Sequence, residues 1–184
     1  MLNVLLERLF KTQERVTGES MDFVRDLRRT APGGFWRFAL FTPMASYRRA
    51  LPVEAYAVAK IAAAHAEDCG PCLQTTVNLA QADGVSDTII RAAVLGDINA
   101  MDERTGAAFA FARAICARDF PSEDLRPKLL AWWGEAGLAE LSLAICSSRL
   151  FPTLKRGLGH AQSCQRVIVG METLQVTAPN AHAA

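Results

Sequence analysis

The sequence predicts an all-α protein, and its composition is the first reason. Of its 184 residues, 31 are alanine and 20 are leucine, whereas valine and isoleucine together supply only 18. Alanine and leucine lose little conformational freedom in a helix, while β-branched residues lose more, so this balance favours helices over strands. Proline and glycine then divide the chain into apolar segments with helical spacing.

Residues 1–50 are predicted to form an N-terminal helical arm. Apolar residues recur at three- and four-residue intervals over residues 2–16, which is typical of an amphipathic helix. A second short helix over 20–29 ends before the breaker Pro32-Gly33-Gly34, and an aromatic-rich segment follows at 35–41. We expect these aromatic side chains to pack on the core or against another subunit.

Residues 51–170 are predicted to form the main helical domain. Prolines and small polar caps mark where helices begin, and glycines mark where several of them end. The predicted helices cover residues 53–66, 71–81, 87–95, 103–118, 121–133, 135–147 and 153–169, with Ser86 and Asp102 as N-terminal caps. Residues 171–184 are expected to be a flexible C-terminal tail, because the last of them are small and polar.

Charge and hydropathy exclude several classes of partner at this stage. Lysine and arginine number 20 against 19 acidic residues, so the net charge of +1 gives no reason to expect nucleic-acid binding. Apolar runs are shorter than the ~18 residues of a membrane span. Glu7 and Arg8 interrupt the apolar start, which is unlike a signal peptide. We therefore expect a cytoplasmic protein without a membrane partner.

The chemistry of the sequence is concentrated in Cys69-Gly70-Pro71-Cys72. Two thiols in this C-x-x-C spacing, at the first turn of a helix, are close enough to form a disulfide, and the helix dipole lowers their pKa. His65 precedes Cys69 by four residues, within reach to accept a proton or to stand as a cation beside a thiolate. Glu67 is positioned to hold that histidine or to face solvent.

The same spacing also serves zinc sites, so a second hypothesis is needed. Cys69 and Cys72 would combine with His160 and Cys164 to give four nitrogen and sulfur ligands in a metal-stabilised module without turnover. A thioredoxin is excluded by context, because that motif requires a βαβ unit. Cys116 and Cys146 lie in apolar helical sequence and are expected to fill space in the core as structural residues.

Four motifs resemble the AhpD-like (carboxymuconolactone decarboxylase) superfamily over residues 51–167. They are the C-x-x-C at the start of a helix, G-V-S-D…I-R-A-A at 84–93, A-A-F-A-F-A-R-A at 107–114, and L-A-E-L-S-L-A-I at 138–145. The resemblance implies an AhpD-like helical bundle that assembles into homo-oligomers. It covers about two-thirds of the chain and leaves the N-terminal arm outside.

For a member that carries the cysteines, the resemblance implies reduction of hydroperoxides with electrons from a dithiol, such as a protein-bound lipoyl group. Cys72 would then be the peroxidatic thiol and Cys69 the resolving thiol. Capture of a sulfenic acid by a neighbouring thiol fits the known order of cysteine oxidation. No bound metal, flavin or nucleotide is implied, and no phosphate-binding glycine motif is present in the sequence.

Two positions depart from the family pattern. Well-known members carry a histidine four residues after the second cysteine, where this chain has Thr76, and a glutamate about twelve residues before the first, where it has Ala57. Glu54 does not match that spacing. We therefore predict that His65 handles protons instead. The alternatives are a decarboxylase-like enzyme that does not use the thiols and a non-enzymatic assembly protein with its arm as the oligomer contact.

Overall fold

The computed structural model describes residues 2–119, 121–162 and 166–176 and is 76% helix, which confirms the predicted mainly helical class. Its elements are α1 (Leu2–Thr17), α2 (Asp22–Thr30), α3 (Pro32–Phe41), α4 (Val53–Ala66), α5 (Gly70–Ala82), α6 (Asp87–Leu95), α7 (Glu103–Ala117), α8 (Pro121–Gly157), β1 (Arg166–Val169) and β2 (Glu172–Gln175). Short 3-10 helices cover Thr42–Ser46 and Ile98–Ala100.

Helix α4 lies at the centre of the main domain. It packs against α5, α6, α7 and α8. Every residue from Ala55 to Ala64 is buried, as expected for a helix that is apolar around most of its circumference. The six alanines in this stretch let neighbouring helices approach closely, so α4 serves as the element against which the others are placed.

Local capping signals predict the helix starts well. Ser86 Oγ accepts a hydrogen bond from the Ile89 amide at 3.4 Å, and Asp102 accepts from Arg104 and Thr105 at 3.0 and 3.1 Å. These bonds satisfy amides that have no partner within the helix. The bounds of α4 and α6 match the predicted ranges, because such signals act over three or four residues.

Helix α8 departs from the prediction at its C-terminal half. Gly134 has non-helical angles (φ 65°, ψ −175°), so the predicted break there is confirmed as a kink. The predicted helix end at residue 147 is wrong, since the helix continues through Pro152 to Gly157. Pro152 is buried, and its packing outweighs the lost backbone hydrogen bond.

Residues 166–175 form an antiparallel hairpin, which corrects the helix predicted over 153–169. Val167 pairs with Leu174, and both are buried while their neighbours along each strand are exposed. This alternation is the period of a strand packed on one face. The segment expected to be a flexible tail, 171–184, therefore begins with β2, and residues 177–184 lie outside the described part.

By length and composition, one segment of α8, Glu123–Gly157, resembles a membrane span. A core helix of a soluble protein meets the same test, and this segment also contains the kink at Gly134. The absence of a membrane partner stays a prediction.

The arm folds back onto its own chain. Helices α1, α2 and α3 share a second apolar cluster built from Leu6, Phe10, Phe23, Val24 and Phe35, with partly buried residues of α8 packed against it. Arg25 of α2 binds Glu14 of α1 at 2.5 Å, which joins the first two helices. Helix α3 begins at Pro32, where the sequence predicts only a break, because proline also suits the first turn of a helix.

The loop that connects the arm to α4 is held by a buried carboxylate. Glu140 of α8 accepts hydrogen bonds of 2.9–3.0 Å from the backbone amides of Arg49, Ala50 and Leu51. Burial alone would raise the pKa of Glu140, but these three amides lower it below its usual value. The ionised carboxylate therefore fixes the loop at its junction with α4.

Replacing this carboxylate by an amide, Glu140→Gln, is expected to lower the free energy of unfolding by about 2–4 kcal/mol at pH 7. The glutamine side chain carries no charge, and its NH₂ group would place hydrogen-bond donors opposite the backbone N–H donors of the loop. Because folding lowers the pKa, the wild-type advantage is complete above the unfolded glutamate pKa of ~4.3 and is lost as the pH falls through the lower folded value. Urea denaturation at neutral and acidic pH measures both effects.

The exposed Glu135 on the same helix provides the control for this prediction. Glu135→Gln should change stability by less than about 0.5 kcal/mol. Equal losses of unfolding free energy in Glu140→Gln and Glu135→Gln would contradict the role assigned to Glu140.

Candidate active site

Both predicted thiols lie at the start of α5. Cys69 is the N-cap in an extended conformation, Pro71 is in the first turn, and Cys72 follows it. Cys69 and Cys72 are joined as a disulfide with Cα atoms 5.2 Å apart. Cys69 is fully buried and Cys72 is 6% exposed, so the protein shields the pair from bulk solvent.

The turn before α5 places the cysteine pair at the N-terminal end of α5, which is the positive end of the helix dipole. Asp68 has φ 45°, a left-handed conformation that aspartate tolerates better than most residues, and it connects α4 to Cys69 over a short distance. The Cys69 carbonyl accepts from the Leu73 amide at 2.9 Å, which starts the α5 ladder. Cys72 therefore lies in the first turn, at the positive end of the dipole of this thirteen-residue helix.

Cys72 opens onto a cavity of about 740 Å³ that lies between the arm and the main domain. Helix α5 contributes Cys72, Thr75, Thr76 and Leu79 to its wall. Apolar side chains of the arm face them across the cavity: Leu6, Leu9, Phe10, Val24, Phe35 and Phe38. The arm, which lies outside the family resemblance, therefore builds much of the cavity around the thiol.

Lys60 is a buried cation in the wall of this cavity. It is 9% exposed, and its Nζ donates to the Ala45 carbonyl at 2.7 Å and lies 5.0 Å from the Tyr56 ring centroid. Burial lowers the pKa of Lys60 to about 8, while Asp83 acts in the opposite direction. The Tyr56 hydroxyl donates to the same carbonyl at 2.6 Å.

Lys60 was missed by sequence reasoning, although the sequence carries a signal for it. It is the one charged residue in the otherwise apolar run 55–64. A lysine in a helix that is buried on every side must itself be buried, and buried lysines have altered pKa values. Lys60 follows Ala57 by three residues, so the two positions lie on nearly the same face of α4.

Thr76, which stands where the family pattern has a histidine, and the predicted site residue His65 lie near the cysteines with different contacts. Thr76 is buried, lines the cavity one turn after Cys72, and donates to the Leu73 carbonyl at 2.7 Å. His65 is half-buried near the end of α4. Among the described cavity-lining residues, Cys72 is the only one of the three predicted catalytic residues.

Glu67 does not face solvent as one interpretation expected. Its side chain is 10% exposed and binds Arg149 Nε of α8 at 2.6 Å, with Arg156 Nη1 at 3.7 Å. Arg156 also donates to the Glu67 carbonyl. Glu67 thus joins the turn before the cysteines to α8.

Three of the four residues proposed as zinc ligands, Cys69, Cys72 and His160, lie in the described part of the chain. The Gly70 amide donates to the Gln162 carbonyl at 3.0 Å, so the fold does bring this part of the chain to the cysteines. His160 Nε2, however, is 2.8 Å from Asp26 Oδ2 of the arm. Cys164 lies outside the described residues, and within those described no three histidine, cysteine or acidic side chains form a candidate metal cluster.

Two further thiols differ in their surroundings. Cys116 is half-buried, and burial raises its pKa. Cys146 is exposed, so the expectation that it fills the core is wrong. It lies on the solvent side of α8, whereas its neighbours Ala144 and Ile145 are buried.

Comparison with protein-family models, curated proteins and solved structures finds no match to this chain. Membership of the AhpD-like superfamily therefore stays a prediction based on the sequence motifs.

Proposed function

We propose that this protein is a thiol-dependent peroxidase of the AhpD-like kind, which reduces organic hydroperoxides with Cys72 and Cys69. The observation that carries the proposal is a paired dithiol at a helix N-terminus whose second cysteine opens onto an apolar cavity. A thiol at the positive end of a helix dipole, beside a second thiol that can resolve its sulfenic acid, is the arrangement that such chemistry requires. The cavity supplies room for the organic group of such a substrate.

The reaction follows from the order of the two thiols. The Cys72 thiolate attacks the terminal oxygen of the hydroperoxide, the O–O bond breaks, and the alcohol leaves after it takes a proton. Cys72 is then a sulfenic acid, which Cys69 attacks to form the disulfide and release water. A dithiol, such as a lipoyl group, reduces that disulfide by exchange and becomes a disulfide itself.

Two residues are candidates for handling charge and protons in this proposal. His65, which the sequence suggested, precedes the pair on α4. Lys60 lines the same cavity as Cys72, and as an ammonium it would stabilise the thiolate across a medium of low dielectric. In this role Lys60 takes the place of the relay that Ala57 and Thr76 cannot provide. Cytoplasmic location and assembly into oligomers are part of the same proposal.

The test is intact-protein mass spectrometry of fully reduced protein before and after one equivalent of cumene hydroperoxide, with peptide mapping and zinc analysis of the same sample. We expect rapid loss of two hydrogens, mapped to Cys69 and Cys72, and formation of one equivalent of alcohol. Thiols that stay reduced would overturn the proposal. Stoichiometric zinc on the cysteines would favour the metal-binding alternative instead.

A further inference from the structure

The cavity beside Cys72 is larger than a small hydroperoxide needs. Its volume of about 740 Å³ lies within the ~300–1,000 Å³ of ligand pockets, whereas protein interiors otherwise hold few voids larger than a water molecule. Along α8 its lining extends from Ser147 to Lys155, a separation of eight positions or roughly 12 Å. These dimensions suit an elongated ligand.

The arm gives most of this cavity an apolar surface and also marks its mouth. Leu9, Val16 and Trp36 line the cavity and yet are 52%, 47% and 47% exposed. Deeper in the same cavity, Phe10 and Phe35 are almost fully buried, with ring centroids 6.2 Å apart. An apolar chain entering at the mouth would therefore remove both its own surface and these side chains from water.

A second cation, Lys155 of α8, adds a polar end to the apolar cavity. Lys155 is 7% exposed, and its Nζ lies 5.0 Å from the Phe23 ring centroid. The carboxylate of Glu19 attracts Lys155 over a longer distance. Within the part of the chain that the structure describes, no carboxylate forms a salt bridge with Lys155 or Lys60. Lys60 already donates to a backbone carbonyl. Lys155 is thus the ammonium better suited to pair with a ligand anion.

A buried hydroxyl in the wall also points to a polar ligand group. Ser148 is 5% exposed and lines the cavity, and its Oγ has no hydrogen-bond partner among the residues that the structure describes. A buried hydroxyl without a partner costs about 1–3 kcal/mol, so a ligand oxygen that bonds to it would be favoured.

We infer that this cavity binds a long-chain fatty-acid carboxylate, with the hydrocarbon chain among the side chains of the arm and the carboxylate at Lys155. The substrate class rests on the proposed function: the hydroperoxide reduced at Cys72 is then a fatty-acid hydroperoxide. Binding itself requires no free thiol, so it is testable on the disulfide form.

The test is calorimetric titration of the oxidised full-length protein with palmitate, laurate, octanoate and the neutral alcohol hexadecanol. We expect affinity to rise with chain length and palmitate to bind at least tenfold more tightly than octanoate. Lys155→Met should weaken palmitate binding about tenfold and leave hexadecanol binding unchanged. Lys128→Met, at an exposed position of the same helix, is the matched control and should change neither.

A second variant keeps the inference testable if the Lys155→Met protein does not fold. Ala39→Trp narrows the cavity from α3 and should reduce palmitate binding more than octanoate binding, with circular dichroism confirming retained helix. The inference is overturned if the wild type does not bind palmitate, or if all three variants bind palmitate as tightly as the wild type does. Palmitate binding by a protein whose thiols ignore cumene hydroperoxide would overturn the peroxidase proposal and leave the fatty-acid site intact.

Discussion

Cys72→Ser is expected to lower the rate of cumene hydroperoxide reduction by at least about a thousandfold, because it removes the attacking group. Serine has nearly the size of cysteine, but its hydroxyl is not ionised near neutral pH and cannot accept the oxygen. Cys69→Ser should behave differently: Cys72 still reacts once, and its sulfenic acid then persists because no thiol resolves it. Dimedone labelling of Cys72 in that variant would identify the attacking sulfur.

The exposed Cys146 offers a matched control for these variants. Cys146→Ser should keep wild-type turnover, which separates the effect of the pair from loss of any thiol. Circular dichroism should show the same helix content in all three proteins. Dimedone labelling of Cys69 in the Cys72→Ser protein, or undiminished turnover, would contradict the assigned order of the thiols.

Lys60→Met is expected to stabilise the protein at pH 7 by about 1–2 kcal/mol while slowing peroxide reduction. Methionine fills a similar volume without a charge, so the cost of burying the ammonium is removed. Loss of the 2.7 Å hydrogen bond to the Ala45 carbonyl offsets about 1 kcal/mol of that gain. Urea denaturation measures the stability, and the rate with cumene hydroperoxide measures the function.

The pH dependence of stability gives a second signature of Lys60. Below its folded pKa of about 8 both states bind the proton, so the burial cost is fully present. Between pH 8 and about 10 the folded state has lost the proton that the unfolded lysine still holds, so the free energy of unfolding rises by about 2–3 kcal/mol. Tyr56, whose pKa burial raises to about 12, opposes this rise above pH 10.

The variant should therefore show a shallower rise over pH 8–10, with the remainder due to Lys155, whose pKa burial also lowers. Exposed Lys128 again provides the control, since Lys128→Met should leave the wild-type profile intact. For activity, His65→Ala is the comparison. A pH–rate profile altered by His65→Ala and not by Lys60→Met would assign proton handling to the histidine; the reverse would assign it to the lysine.

Local sequence signals predicted much of the site. The start of α5 at the cysteine pair follows from Pro71, because proline suits the first turn of a helix, and the structure has the helix there. What could not be predicted is which side chains face Cys72. Lys60 and Lys155 are 95 residues apart in the chain, and only the packing of α4 and α8 on α5 brings both to one cavity.

The continuation of α8 past Pro152 and the hairpin at 166–175 show the limit of local reasoning. Proline disfavours a helix interior locally, but burial of Pro152 among the residues that line the cavity favours the continuous helix. The alternation of Val167 and Val169 on one face was compatible with a strand, yet a single short run does not distinguish a strand from a helix.

The sequence by itself determined the helical class, the bounds of the central helices and the place of the dithiol, because composition, caps and breakers act over a few residues. The tertiary structure decided that the arm covers Cys72 and encloses an apolar cavity with two buried lysines. That outcome depends on apolar surfaces from distant segments, which become neighbours only when the chain buries them together.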